Sequence, residues 1–230
     1  MSQGSSFVFF RGFAWKALSL ILLFYTFYQG FNGTVPEMPI LHQTIRNLYF
    51  HVTMWMAMLV LLLSNAIYGI RFLSSGNLDL DLKADECAKS GMIFGIAGLV
   101  TGMIWANYTW GAPWVNDPQL NGTAASLLIY AAYFVLRNAI SESSKRAKLA
   151  AVYSIFAFVM MFVFIMVIPK LSDSLHPGKG GNPGFNKYDL DSNMRMVFYP
   201  AVIGWTLLGA WFTELRIRIR RIEQKIELNA

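Results

Sequence analysis

Six long apolar runs, separated by polar segments, set the pattern of this chain. They cover approximately residues 12–30, 48–72, 91–106, 123–136, 149–168 and 196–215. A helix rises about 1.5 Å per residue, so about 20 residues cross a hydrocarbon core of about 30 Å. The pattern therefore predicts an all-α integral membrane protein with six transmembrane helices, forming a single domain over residues 1–230.

Composition supports a membrane protein. Hydrophobic residues make up 55% of the chain and charged residues 14%, whereas soluble domains carry about 25% charged residues. The chain has one cysteine, which excludes an internal disulfide framework. We interpret this residue, Cys87, as an ordinary thiol in a loop.

The distribution of basic residues predicts the orientation in the membrane. Fourteen of the 19 lysines and arginines fall on one side of the predicted helices and five on the other. The positive-inside rule then places both termini in the cytoplasm and the segments 105–122 and 169–195 outside. We interpret the basic tail, R-I-R-I-R-R at residues 216–221, as an anchor on anionic lipid headgroups. We therefore interpret the net charge of +6 as a consequence of the orientation in the membrane and not as a sign of nucleic-acid binding.

The outward segment 105–122 is rich in tryptophan, with Trp105, Trp110 and Trp114 inside ten residues. A loop does not need this much flat aromatic surface, which suits a flat partner, a bilayer interface or another protein. Asp117 followed by Pro118 is typical of an N-cap and first helical residue, so a short interfacial helix is predicted there. The other four tryptophans are assigned to the core or to the interfacial belt: Trp15, Trp55, Trp205 and Trp211.

All three histidines fall on the predicted outer side. His51 lies near the outer end of the second helix in an apolar setting, where a polar residue is a functional candidate. The alternative is a histidine that is hydrogen-bonded to a neighbouring helix. His176 and His42 lie in loops, and each taken alone is typical of a solvated residue.

Two outward histidines with tryptophan surface between them favour axial ligation of a haem iron. A zinc site usually has three or four ligands at motif spacing, and this sequence contains neither C-x-x-C nor H-E-x-x-H. Haem propionates need cations, and Arg46 is the nearest outward one to His51 in sequence. Further candidates are Arg195, Lys170 and Lys179.

Several motifs together resemble a known family. The segments L-V-T-G-M-I-W (99–105) and W-G-A-P-W-V-N-D-P-Q-L (110–120) resemble the tryptophan-rich WWD signature of haem-handling proteins. R-N-L-Y-F-H (46–51), S-L-H (174–176) and M-R (194–195) are similar to further motifs of the haem exporter protein C (CcmC) family of cytochrome c maturation. The resemblance covers essentially the whole chain.

The signature has three departures in this sequence. Family members usually have Trp in place of Asn116 and Arg in place of Gln119, and they often have Trp in place of Pro113. One arginine contact to haem or to its acceptor is therefore missing from this position.

The resemblance implies that His51 and His176 are the axial ligands of one haem b at the outer face. Trp105, Trp110, Trp114 and Asp117 would support the haem edge, while Arg46 and Arg195 would serve as cofactor-binding cations. The family hands haem to a periplasmic haem chaperone, and an ABC-type ATPase with its membrane subunit releases the loaded chaperone. This implies a non-enzymatic assembly factor of the bacterial inner membrane.

Two alternatives remain open at this point. A permease subunit for a small solute would call for ionisable residues within the spans, and the middle of each run has almost none. A divergent relative of the larger haem-handling protein from the other cytochrome c assembly system would usually have more helices and more histidines.

Overall fold

The computed structural model describes residues 3–38, 40–176 and 190–229. These residues form six long helices, as the sequence pattern predicted. Five of them are long and apolar enough to cross a membrane, and the sixth is α1, a helix of 30 residues. The elements in chain order are α1 (Gln3–Asn32), a 3-10 helix (His42–Tyr49), α2 (His51–Ser75), α3 (Leu78–Trp110), α4 (Pro118–Asn138), α5 (Ser143–Phe162), a π-helix (Val163–Val167), α6 (Ile168–Leu171) and α7 (Ser192–Asn229).

The helices α2 and α3 form the centre of the bundle, and small residues allow their close approach. A Cβ atom on Gly91 would lie 2.7 Å from Leu62 of α2, and one on Gly95 would lie 2.8 Å from Met58. Both distances are too short for a side chain, so the glycines let the two backbones pack closely. The helix α1 packs against α7, where Ser19 Oγ donates to the carbonyl oxygen of Gly204 at 3.0 Å.

The polar segment between the second and third apolar runs is mostly helical, which the sequence pattern did not predict. Only Gly76 and Asn77 separate α2 from α3. Gly76 has the left-handed φ of 68° that favours glycine at a helix C-terminus. The Asn77 side chain accepts a hydrogen bond from Asp79 N and caps α3. The prediction of a loop for Cys87 was therefore wrong, because Cys87 is buried within α3.

Ion pairs explain how so charged a segment can be helical and partly buried. Arg137, in the last turn of α4, binds both carboxylate oxygens of Asp81 at 2.6 and 2.9 Å and Asp85 at 3.1 Å. These ion pairs join residues that are far apart in the chain, so the charged residues of this segment alone did not indicate a helix. The basic segment after the fourth run is likewise mostly helix, with a break only from Ala139 to Glu142.

The basic tail is also helical, although its alternation has the period of a strand. The helix α7 continues to Asn229. Arg216 Nε lies 2.7 Å from Glu86 Oε2, and Arg221 Nη2 lies 2.6 Å from Asp79 Oδ1. Two of the arginines assigned to lipid headgroups therefore bind acidic residues of α3.

The two outward segments are shorter as loops than predicted. In 105–122, α3 continues through Trp110 and α4 begins at Pro118, which leaves seven residues between the helices. Asp117 caps α4 as predicted, but the helix that it starts is the long fourth helix and not a separate short one. In 169–195, α6 extends to Leu171 and α7 begins at Ser192, while 177–189 lie outside the described residues.

A π-helix precedes α6, with Pro169 two residues after its end. A Cβ atom on Gly122 of α4 would lie 2.4 Å from the carbonyl oxygen of Phe164 in this segment. The absence of a side chain at Gly122 lets α4 pack directly on the π-helix. This contact brings the residues that follow α6 close to the start of α4.

Candidate functional site: two histidines at one end of the bundle

His51 is the first residue of α2 and is held by α3. Its Nδ1 lies 2.8 Å from the carbonyl oxygen of Gly98. A carbonyl oxygen can only accept a hydrogen bond, so Nδ1 carries the proton and Nε2 carries the lone pair. Among the described residues, no hydrogen-bond partner contacts Nε2. The contact to a neighbouring helix that the alternative interpretation predicted is present, and it leaves the ligating nitrogen of the ring available.

The packing around His51 fixes the plane of its ring. A Cβ atom on Gly102 would lie 2.5 Å from His51 Cε1, so the ring lies directly against the α3 backbone. Trp55 and Trp105 contact the ring edge to face, with centroid distances of 6.3 and 5.9 Å. Trp105 is itself fixed, because its Nε1 donates to Thr44 Oγ1 at 3.1 Å.

His176 is held by a carboxylate. Its Nδ1 lies 2.9 Å from Asp117 Oδ1, and the Asp117 side chain is fully buried. Asp117 also accepts hydrogen bonds from two backbone N–H groups at the start of α4 and from two groups beside His176: Gln119 N, Leu120 N, Ser174 Oγ and Leu175 N. One carboxylate therefore caps a helix and orients a histidine at the same time.

The charges of this pair favour a neutral imidazole. Burial raises the pKa of Asp117, but the hydrogen bonds from Leu175 and Ser174 and the nearby His176 outweigh it and hold that pKa below its ordinary value. Burial lowers the pKa of His176 below its ordinary value, and the Asp117 carboxylate offsets this only in part. An ionised Asp117 can only accept a hydrogen bond, so Nδ1 of His176 keeps its proton and donates it to Oδ1, and Nε2 again carries the lone pair. Carboxylate–histidine pairs of this kind orient metal ligands.

Helix α3 connects the two histidines. Trp105 contacts His51, and Trp110 contacts His176 edge to face with a centroid distance of 4.9 Å. The two tryptophans are five residues apart on one helix, which is about 7.5 Å along its axis. Trp114 follows in the connecting segment and is 39% exposed. The tryptophans that the sequence singled out thus flank the histidines.

The candidate cations have partners of their own. Arg46 Nη1 donates to the carbonyl oxygens of Gly30 and Gly33 at 2.9 and 2.7 Å, and Nε donates to Gln43. Arg195 Nε donates to the carbonyl oxygen of Leu190 at 2.9 Å. Lys170 is exposed at α6. Lys179 lies outside the described residues.

Several residues that shape the site were not predicted from the sequence. Gly98 and Gly102 supply the carbonyl and the open surface for His51, and their four-residue spacing on one helix face was the available signal. Ser174 donates to Asp117 and accepts from the His176 backbone N–H. Trp55 was assigned to the core or belt, yet it contacts His51.

The donor set fits a cofactor that takes only two protein ligands. The described residues include no group of three or more His, Cys, Asp or Glu side chains that could hold a metal ion. Two neutral imidazoles, each with Nδ1 engaged and Nε2 available, match the ligand type that haem iron takes from proteins. The residues present therefore fit a haem.

Comparison with known proteins decides the family. The model of the family described as Heme exporter protein C matches residues 7–229.

The chain belongs to the Heme exporter protein C family.

Curated relatives agree with this assignment. The Heme exporter protein C of Haemophilus influenzae is 26% identical over 137 residues, covering 60% of this chain and 55% of that protein. The Cytochrome c biogenesis protein CcsA of Prochlorococcus marinus (strain CCMP1986 / NIES-2087 / MED4) is 32% identical over 100 residues, covering 44% of this chain and 31% of that protein. The corresponding protein of Synechococcus sp. (strain CC9605) is 28% identical over 94 residues and is covered to 31%. The chain thus matches about a third of the CcsA proteins and just over half of the Haemophilus protein. Family membership supports haem handling in cytochrome c maturation by a multi-pass membrane protein.

Proposed function

We propose that this protein binds one haem b at the end of the bundle that carries the tryptophans, with Nε2 of His51 and Nε2 of His176 as the two axial ligands. The observation that supports the proposal most strongly is that both imidazole rings are hydrogen-bonded through the same nitrogen, Nδ1. Each Nδ1 is engaged by an acceptor that cannot donate, so each Nε2 is left with its lone pair. When bound, the haem supplies the iron and the flat macrocycle.

The remaining site residues divide into positioning and contact roles. Asp117, Gly98 and Gly102 orient the imidazoles and do not themselves present groups to a ligand. Trp110 and Trp114 supply the aromatic surface against a haem edge, because both belong to the segment beside His176. Arg46 and Arg195 supply positive charge for the propionates, in addition to the backbone bonds that they already make.

We propose further that the bound haem is handed to a periplasmic haem chaperone and that no catalytic step takes place on this chain. The expected partners are that chaperone, an ABC-type ATPase with its membrane subunit, and the lipids of the bacterial inner membrane. The family assignment over residues 7–229 supports this proposal over a permease. It also favours the haem exporter over the CcsA proteins, which match over a shorter segment.

The test has two parts. The first is the haem content of purified protein with both His51→Ala and His176→Ala, compared with that of the His42→Ala control, since His42 is an exposed histidine at the start of the 3-10 helix. We expect haem to be lost only from the double variant. The second is complementation of a bacterial strain that lacks its own haem exporter, scored by covalent haem in c-type cytochromes. Normal haem content in the double variant, or no complementation by the unaltered chain, would overturn the proposal.

A further inference from the structure

The two candidate ligands are held by the protein in different ways. His51 is the first residue of α2, and its ring lies directly against the α3 backbone at Gly102. Trp55 and Trp105 contact the same ring edge to face. Because protein interiors are close-packed, this ring cannot leave its place unless side chains of two long helices move with it. The packing therefore fixes His51 in place.

His176 has no such helix beneath it, because it lies in a segment without regular secondary structure that follows α6. Its ring bonds to Asp117, and so do the Ser174 hydroxyl and the Leu175 N–H. The Leu175 side chain is 59% exposed, so it adds little packing, and the His176 ring has Trp110 at one edge. Bonds to one carboxylate thus hold this histidine and its two neighbours in the chain.

The helix that leads to this segment is interrupted. In the π-helix the N–H of Ile168 donates to the carbonyl oxygen of Val163, and the next residue, Pro169, has no N–H to donate. The carbonyl oxygen of Phe164 instead lies against Gly122 of α4. Helices bend where their hydrogen-bond ladder is interrupted, and π-helical turns are frequent at functional sites. This point is therefore a hinge for the chain that follows it.

We propose that His176 is the exchangeable ligand of the haem and that His51 is the permanent one. This inference rests on the proposed function, in which both histidines bind the iron and the haem passes to another protein. When another ligand takes its place, His176 moves away on the hinge and the electron pair of its iron bond returns to Nε2. The incoming ligand supplies a new pair, so the oxidation state of the iron does not change.

The exchange sets the direction of the transfer. Because His51 stays, the haem remains bound to this protein while the acceptor takes hold of it. The acceptor therefore approaches from the side of His176 and Trp110, and not from the side of α2.

The test is the reaction of the ferrous, haem-loaded full-length protein with carbon monoxide, followed by stopped-flow absorbance. A histidine must dissociate before carbon monoxide can bind, so the rate reaches a limit at high carbon monoxide that equals this dissociation rate. We expect Asp117→Asn to raise the limit at least about tenfold, the lower end of the effect of removing a group that hydrogen-bonds to a metal ligand. Ser174→Ala removes another bond to Asp117 and should raise it less. The control Ser172→Ala removes a hydroxyl that bonds back to Ile168 and should leave it unchanged.

A second readout identifies the histidine that remains. Photolysis of the carbon monoxide complex leaves iron with one imidazole, and its iron–nitrogen stretch in the resonance Raman spectrum depends on the hydrogen bond at Nδ1. A carboxylate acceptor at Nδ1 shifts this stretch relative to a carbonyl acceptor. We expect one frequency in the unaltered protein and in Asp117→Asn, because the remaining ring is that of His51, bonded to the carbonyl oxygen of Gly98.

Three results would overturn the proposal. The first is a limiting rate that Asp117→Asn and Ser174→Ala leave unchanged, or that Ser172→Ala raises equally. The second is a stretch that shifts in Asp117→Asn, which would identify His176 as the histidine that remains. Both leave the proposed function standing. The third is a ferrous spectrum without ligation by two histidines before carbon monoxide is added, which would contradict the proposed function as well.

Discussion

The two ends of the bundle use polar groups in opposite ways. At the end with His51, His176 and Asp117, hydrogen bonds engage one nitrogen of each imidazole and leave the other available. At the other end, Asp81, Glu86 and Arg137 bind one another or neighbouring charges within the protein. The first arrangement leaves one nitrogen of each imidazole available to bind a ligand. In the second, the charged groups are paired with one another within the protein. A polar cluster in a membrane protein therefore indicates a site only when some of its bonding capacity is left over.

The largest effect on stability is expected at the end of the bundle where Asp81 and Arg137 form a buried ion pair. Replacing Arg137 with alanine leaves the buried carboxylate of Asp81 without its bidentate partner. Removing one partner of a buried ion pair typically costs about 3–5 kcal/mol. We expect Arg137→Ala to lower the free energy of unfolding by about that amount, as measured by denaturation in detergent. The control Arg220→Ala breaks an exposed pair and should cost less than about 1 kcal/mol. Equal losses in the two variants would contradict the contrast between buried and exposed pairs.

Asp117→Asn tests whether a carboxylate is needed at the ligand end. Asparagine caps a helix as well as aspartate does, so α4 should keep its start. The amide nitrogen of asparagine cannot accept the hydrogen bond from Leu175 N that Asp117 Oδ2 accepts, so some loss of stability is expected and is measured beside the affinity. The charge that orients His176 is lost, and removing a group that hydrogen-bonds to a metal ligand typically costs about 10–100-fold in metal affinity. We expect haem affinity to fall by at least about tenfold, as measured by titration into haem-free protein. Loss of stability without loss of affinity would reduce Asp117 to a cap alone.

Gly102→Ala tests the packing of His51. The added Cβ would lie 2.5 Å from His51 Cε1, so the ring must shift away from the carbonyl oxygen of Gly98. Overpacking of this kind typically costs about 1–3 kcal/mol. We expect haem affinity to fall about tenfold, while Gly12→Ala, where a Cβ meets no atom within 4 Å, should leave it unchanged. Unchanged affinity in Gly102→Ala would show that the ring position does not matter for binding.

The pH dependence is expected to be the smallest effect. The pKa of His176 is below its ordinary value of 6.5, so the folded protein takes up this proton only at a lower pH than the unfolded chain does. The contribution to stability is therefore constant above pH 6.5 and falls as the solution is acidified below it, by at most about 1.4 kcal/mol per pH unit. Unfolding measured from pH 8 to pH 5, with His176→Ala as the control, checks the sign. A loss that begins above pH 7 would contradict it.

The sequence pattern predicted the six long helices, because apolar runs are visible one residue at a time. It marked His51 as a candidate ligand, whereas His176 became one only through the family resemblance, and ligation by either stays a prediction. It did not predict that residues 78–90 are helical, since the partners of Asp81 and Glu86 lie far along the chain at Arg137 and Arg216. It identified Asp117 as a helix cap, which is a local property. The contact with His176 depends on the turn after the π-helix and on close packing at Gly122, and neither leaves a pattern in neighbouring residues.

The central claim is that the Nε2 atoms of His51 and His176 are the two axial ligands of one haem. Electron paramagnetic resonance of the ferric protein tests it most directly, because ligation by two imidazoles gives low-spin iron. We expect a low-spin signal in the unaltered protein and in His42→Ala, and a loss of that signal in His51→Ala and in His176→Ala separately. A low-spin signal that persists in either single variant, or that is lost in His42→Ala, would contradict the account.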